Sequence, residues 1–292
     1  MNDYDYDDTG KIVLDDIYDQ PTPAPYYTKL SALGYCIPQQ AKPHFEQAIA
    51  ARRAVGNGDA VKIVDVGCSY GVNAALIKHG QSINGLTSHY RELTQQGLAH
   101  DEVLAADQEF YAAPESERTT IVGVDASQNA IDYAVSAGIL DGGVAADFET
   151  GAPDAAQADL LGGSDLIIST GCYGYISETT LDRLLDVNDG RQPWMAHFVL
   201  RMFDYEPAAE SLEQRGYVTR QLGAPVRQRR FASAEERAHV LENLDARGVD
   251  PTGREADGWY YAELHVSCPE DAADGLFGRW QPERIASTAT AP

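Results

Sequence analysis

The chain has 292 residues and carries 45 Asp plus Glu against 22 Lys plus Arg, a formal net charge of −23. A hydrophobic fraction of 43% is ample for a core and excludes a disordered acidic chain. The same charge balance argues against nucleic-acid phosphate and against an anionic lipid surface as partners.

No stretch of about 18 apolar residues occurs, so no membrane helix is expected. The segment from Met1 to Asp8 is acidic and lacks the basic and apolar blocks of a signal peptide. Cys36, Cys68, Cys172 and Cys268 lie far apart with no C-x-x-C spacing. That points away from zinc and from a disulfide framework, and toward a reducing cytoplasm.

Residues 1–56 read as an arm or cap. Pro21, Pro23 and Pro25 at alternate positions predict an extended path and no helix there. Tyr26 to Leu30 and Ala41 to Val55 read as short helices, and Gly56-Asn57-Gly58 breaks the chain.

The pattern then switches to βα alternation. Val61 to Val66 is a buried strand, Gly67 to Gly71 a tight turn, and Val72 to Lys78 a helix stopped by Gly80. Thr119 to Asp125 is a second strand, followed by a helix capped by Ser127. Gly143 to Phe148 reads as a weaker third strand and Asp165 to Ser169 as a fourth. Ser177 caps the next helix. Met195 to Met202 is a fifth strand, with Pro207 opening a helix that ends before Gly216. Tyr217 to Leu222 and Trp259 to Ser267 complete the strands. Between them, Ser233-Ala234-Glu235-Glu236 is a capping box that opens a charged helix. The alternation predicts a mostly parallel seven-stranded sheet with helices on both faces and an antiparallel last strand. The main domain is residues 57–268, with insertions at about 79–118 and 225–257, and a tail over 269–292.

Ligands of such sheets bind beyond the carboxyl ends of the strands. Val64-Asp65-Val66-Gly67-Cys68-Ser69-Tyr70-Gly71 resembles the opening motif of class I S-adenosylmethionine-dependent methyltransferases, a strand with an acid followed by G-x-G-x-G, with Ser69 at the middle glycine. Val122-Gly123-Val124-Asp125 resembles the family's second strand. Ala146-Asp147-Phe148 resembles the third, Asp165 to Thr170 the fourth, and Phe198 to Val218 the fifth and sixth. The resemblance covers roughly residues 58 to 267.

It implies a Rossmann-like fold with S-adenosylmethionine as cofactor and S-adenosylhomocysteine as product. It assigns the cofactor to Asp65, Gly67, Ser69, Tyr70, Gly71, Asp125, Ala126, Asp147, Phe148, Thr170 and Gly171. Within that set, Asp125 would hold the ribose hydroxyls, and Asp147 would read the adenine amine with Phe148 against the ring. One departure is the spacing. Asp125 stands 54 residues past Gly71 (125 − 71), where such an acid usually lies about 20 residues on. The cost is an insertion from His79 to Arg118, read as extra helices beside the cofactor and a candidate lid.

Gly67-x-Ser69-x-Gly71 also matches the nucleophile elbow of α/β-hydrolases, for which Asp204 with His239 or His265 would have to complete a triad. That reading leaves Asp65, Asp125 and Asp147 without roles. A non-catalytic binding module built on the arm is a third reading.

For a methyl acceptor, Tyr26, Tyr27, Tyr90, Tyr173, Tyr175 and Arg201 are the expected pocket residues, and His89 or His197 the candidate base. Each histidine also has a structural reading as a hydrogen-bonded core residue. Ser169 and Thr170 are not the acids that metal-dependent relatives carry at this strand end, so no metal is expected. The expected acceptor is a small molecule, a specialised metabolite methylated on oxygen or nitrogen. A carboxylic acid or a peptide is the alternative. The arm is placed to cover its own site or a neighbouring subunit's, which leaves a homodimer open.

Overall fold

The structure is a computed structural model that describes residues 6–7, 9–13, 15–56, 60–112, 119–278 and 280. The expected break at Asn57-Gly58, the end of the first insertion and the tail beyond Trp280 lie outside the described residues.

In chain order the arm forms α1 (Asp15–Tyr18), α2 (Ala24–Ala32) and α3 (Ile37–Val55). The sheet begins with β1 (Val61–Val66) and α4 (Val72–Ile77), and then come α5 (Ile83–Gln96) and α6 (His100–Tyr111). β2 (Thr119–Asp125), α7 (Gln128–Ser136), β3 (Gly142–Ala145), α8 (Ala155–Leu161), β4 (Leu166–Thr170) and α9 (Glu178–Asp186) follow. β5 (Trp194–Leu200), α10 (Glu206–Gln214), β6 (Tyr217–Arg230), α11 (Ala234–Ala246), β7 (Trp259–Pro269) and α12 (Ala273–Phe277) complete the chain.

The strand order is β3-β2-β1-β4-β5-β7-β6. The first five strands are parallel, and β7 runs antiparallel between β5 and β6. This is the expected Rossmann-like sheet. Its order reverses between β1 and β4, the switch point where such sheets open a crevice.

Side chains alternate across each strand, so both faces of the parallel strands need an apolar cover. Ile63, Ile121, Ile168 and Phe198 pack under Phe45 and Leu76 on one face. Val64, Val122, Ile167 and Met195 pack under Leu161, Leu184 and Leu212 on the other. All seven residues of β5 are buried. Burial of each such large side chain contributes about 1.5–3 kcal/mol, and this layer fixes where the strand ends point.

Two local expectations change. Pro25 lies inside the first turn of α2. There its missing N–H has no helical partner to lose, so the prolines do not exclude helix. β6 does not stop at Leu222. It bends at Gly223, where φ is +73°, resumes after a register shift, and continues to Arg230. That extension carries Gln228 and Arg229 to the carboxyl end of the parallel strands.

The described part of the tail packs against α3. Leu276 is buried, and the Trp280 ring stacks on His44 with centroids 6.1 Å apart.

Candidate active site

A cavity of about 960 Å³ opens at the carboxyl ends of β1 to β4. Its floor is the chain leaving β1 (Gly67 to Ser69), β2 (Asp125 to Asn129), β3 (Ala146 to Glu149) and β4 (Thr170 to Cys172). Its roof comes from the N-terminal arm, through Lys11, Ile12, Tyr18, Asp19 and Tyr26, and from Gln228 and Arg229 of β6.

The turn after β1 is shaped by conformation. Gly67 has φ +68°, and a Cβ there would lie 2.5 Å from Cys172 Cβ, so only glycine fits against the end of β4. Ser69 holds φ +49°, a left-handed conformation that costs a non-glycine residue about 1 kcal/mol. Its N–H donates to Asp125 Oδ2 at 2.8 Å, and Ser127 N–H donates to Oδ1 at 3.0 Å. Two amides therefore orient one carboxylate at the cavity wall. Burial raises the Asp125 pKa, and those amide bonds oppose the rise.

Asp65 stands behind this wall. It is fully buried, and Asn73 Nδ2 donates to its Oδ1 at 3.0 Å. Oδ2 has no partner among the described residues, and burial pushes the pKa up to about 7. Asn73 also donates to Thr170 Oγ1 at 3.3 Å and itself lines the cavity. Asp65 therefore reaches the cavity only through Asn73. Sequence reasoning missed Asn73. A signal existed: a lone polar residue in the first turn of the helix after a glycine turn.

Asp147 and Phe148 lie together at the end of β3. Asp147 Oδ1 accepts from Glu149 N–H at 2.9 Å, and its Oδ2 accepts from Thr150 Oγ1 at 3.1 Å. Phe148 is buried. Gly67, Ser69, Asp125, Ala126, Asp147, Phe148, Thr170, Gly171, Tyr26 and Tyr175 all line this one cavity.

The remaining sequence candidates lie elsewhere. Gly71 serves packing, since a Cβ there would meet Ile139 Cγ2 at 2.8 Å. Tyr70 anchors the arm: its hydroxyl donates to Gln20 O and accepts from Gln20 N–H, both at 2.8 Å. His89 is not placed as a base. Its Nε2 lies 2.6 Å from Asp107 Oδ1, and its ring stacks on Phe110 at 4.0 Å. Tyr90 and Tyr133 donate to Asp107 Oδ2 at 2.7 and 2.6 Å. Tyr27 stacks on Tyr90 at 4.7 Å. These residues form an internal knot between the arm and the insertion, because a buried carboxylate draws every nearby donor.

His197 is fully buried on β5, with Nδ1 2.8 Å from Ser169 Oγ. Burial pulls its pKa down to about 3, so it is not poised to take a proton near neutrality. Tyr173 packs on Tyr205 with centroids 4.9 Å apart, on the far side of the β4–α9 turn. Arg201 is not open to a ligand. Its Nη1 donates to Glu255 Oε2 at 2.6 Å and its Nε to Glu263 Oε1 at 3.2 Å. Asp204 pairs instead with Arg247, at 3.2 Å. None of the described residues of the insertion lines the cavity, so α5 and α6 form no lid over it.

The hydrolase triad is not assembled. Ser69 Oγ is buried without a hydrogen-bond partner among the described residues, His239 packs against Tyr6 and Gly10, and His265 packs against Tyr205. Among the described residues, no group of three or more His, Cys, Asp or Glu side chains is arranged to hold a metal ion. No helix of the described residues is long and apolar enough to cross a membrane.

No family model and no curated protein sequence matches the chain. Among solved structures, the chain is similar to the magnesium protoporphyrin IX methyltransferase of Synechocystis PCC 6803, at 11% identity and a TM-score of 0.39, over 79% of this chain and 80% of that one. It is also similar to a SAM-dependent methyltransferase from Aquifex aeolicus, at 12% identity and a TM-score of 0.39, over 84% and 97%. The plantazolicin methyltransferase BpumL in complex with S-adenosylhomocysteine aligns at 12% identity and a TM-score of 0.38, over 87% and 96%.

Proposed function

We propose that this chain is an S-adenosylmethionine-dependent methyltransferase acting on a small organic molecule. One observation carries the reading. The glycine turn after β1, the amide-oriented Asp125 after β2 and the Asp147-Phe148 pair after β3 share the lining of one cavity at the switch point. Composition alone does not require these three motifs to meet.

The residues present fit a nucleoside with a charged amino-acid tail. Asp125 keeps lone pairs free to accept from a diol, and Phe148 offers an apolar face beside a carboxylate able to accept from an amine. Asn73 Oδ1 is buried without a partner among the described residues at the cavity edge, next to the half-satisfied Asp65. An amide oxygen backed by a carboxyl group suits a cationic ligand group. Bound S-adenosylmethionine would supply an electrophilic methyl group on a sulfonium. The chain's own task is alignment and exclusion of water, which the roof of Ile12, Tyr18 and Tyr26 performs over the floor.

The acceptor belongs beside the end of β4, under the roof. The cavity's volume and closure by the arm favour a small molecule over a folded protein or a duplex. We propose that residues 1–56 act as a cap on the main domain 57–268.

The test is product formation. The protein incubated with methyl-labelled S-adenosylmethionine and a panel of small hydroxy, amino and carboxylic acids should release S-adenosylhomocysteine with at least one of them. Failure to bind the cofactor at all, by dialysis with labelled S-adenosylmethionine, overturns the reading.

A further inference from the structure

Asp125, Asp147 and Glu149 line the cavity at the strand ends, and Ser127 Oγ donates to Asp19 Oδ1 at 2.8 Å on the same wall. Two cations, Lys11 and Arg229, line it as well, Lys11 in the company of Tyr175 and Asp7. In a chain of net charge −23, each of these two cations needs a partner.

The two are not equivalent. Arg229 is consumed: its guanidinium grips both oxygens of Glu236, at 3.0 and 2.8 Å. Glu236 also accepts from the N–H groups of Ile12 and Ala232. Lys11 is not consumed. The residue is 7% exposed, yet its ammonium makes no hydrogen bond or ion pair among the described residues. It lies 4.4 Å from the centre of the Tyr175 ring. The nearest candidate counter-ion, Asp7, is committed elsewhere. Its Oδ1 accepts from the Thr9 and Lys11 amides and the Thr9 hydroxyl, and its Oδ2 accepts from Tyr175 Oη at 2.7 Å. Gln228, 6% exposed, adds a side-chain amide with no hydrogen-bond partner among the described residues, its oxygen fully enclosed.

A buried ammonium with no direct ion-pair contact is costly, and burial together with the Arg229 charge pulls Lys11 down to about 8 against the opposing pull of Asp7 and Glu236. A ligand anion relieves that cost. The strap that carries Lys11 is itself fixed: Tyr6 Oη lies 2.8 Å from Ser233 Oγ, and Asn243 donates to Thr9 O at 2.9 Å. The ammonium is therefore held at the roof and not swung out into solvent.

We propose that the lobe under the strap binds a carboxylate of the acceptor molecule, held by the Lys11 ammonium with the Gln228 amide as second donor. This rests on the methyltransferase reading and names the acceptor's class. One unpaired cation matches a monoanion, so a carboxylate fits better than a phosphate dianion.

The probes are benzoate, phenylacetate and 4-phenylbutyrate, each against its primary amide, with phenyl phosphate as a further arm. Each is titrated into the full chain saturated with S-adenosylhomocysteine, whose own affinity is measured first. At pH 7 at least one acid should bind about tenfold tighter than its amide, and Lys11→Gln should erase that preference. Lys11→Arg should keep it. S-adenosylhomocysteine affinity should change less than about twofold in either variant, which separates this proposal from a folding defect.

Wild-type affinity for the acid should fall as pH rises through about 8, while Lys11→Arg stays flat. The other groups facing Lys11 do not confuse that profile. Asp7 and Glu236 are held below their ordinary values, Cys172 is pushed up to about 12, Tyr175 is pushed higher still, and Arg229 stays charged. Equal binding of acids and amides, a preference that survives Lys11→Gln, or tighter binding of phenyl phosphate overturns the proposal. Absence of S-adenosylhomocysteine binding overturns the methyltransferase reading instead.

Discussion

Two segments compete for the role of cover: the N-terminal strap and the inserted helices α5 and α6. Both carry aromatic and ionisable side chains. In the insertion, His89, Tyr90 and the adjacent Tyr133 all spend their polar atoms on Asp107, and nothing of α5 or α6 meets the cavity. In the strap, backbone and carboxylate groups tie the segment to α11, while the Lys11 ammonium is left over and lines the cavity. A polar side chain with a saturated partner set builds structure. One with spare valence, buried at a cavity wall, is available to a ligand.

The sharpest way to break this contrast is at the knot. Asp107→Ala removes the shared acceptor of His89, Tyr90 and Tyr133 and should cost about 3–5 kcal/mol in chemical denaturation. Affinity of the folded protein for S-adenosylhomocysteine should not change. A large loss of affinity at unchanged stability would put the insertion in the site after all. Next comes the floor. Asp125→Ala should weaken S-adenosylhomocysteine by about 2 kcal/mol, roughly thirtyfold, in a calorimetric titration.

The fully buried His197 gives a smaller, pH-dependent effect. Its folded pKa, about 3, lies below the ordinary value of 6.5, so the unfolded chain binds the extra proton between these two pH values. Stability therefore falls as pH drops below about 6.5. His197→Gln should remove on the order of 1–2 kcal/mol of that loss at pH 5, read from denaturation midpoints at pH 7 and 5. The smallest change is at the turn. Ser69→Gly relaxes a left-handed residue and should stabilise by about 0.5–1 kcal/mol with cofactor binding retained. A hydrolase would lose its activity entirely.

Much of this was legible in the sequence because the signals were local. β-branched runs marked β1, β2 and β4, with glycines flanking β1 and β4, and Ser127, Ser177 and Ser233 capped their helices as read. The floor of the cavity follows from those strand ends. The roof did not show, because it depends on contacts between distant parts of the chain. Lys11 belongs with Tyr175, 164 residues away (175 − 11), and Glu236 with Ile12. Gln228 and Arg229 were hidden by the bend at Gly223, which looks like a strand end. His89 and Arg201 misled because residue type shows chemistry, not whether Asp107 or Glu255 has already claimed it.

The most direct test of the whole account is a calorimetric titration of S-adenosylhomocysteine into the wild-type chain and into Asp125→Ala. One molecule per chain should bind the wild type, with the variant roughly thirtyfold weaker. No heat and no binding to the wild type would contradict the cofactor assignment, and equal affinity in the two proteins would contradict the site.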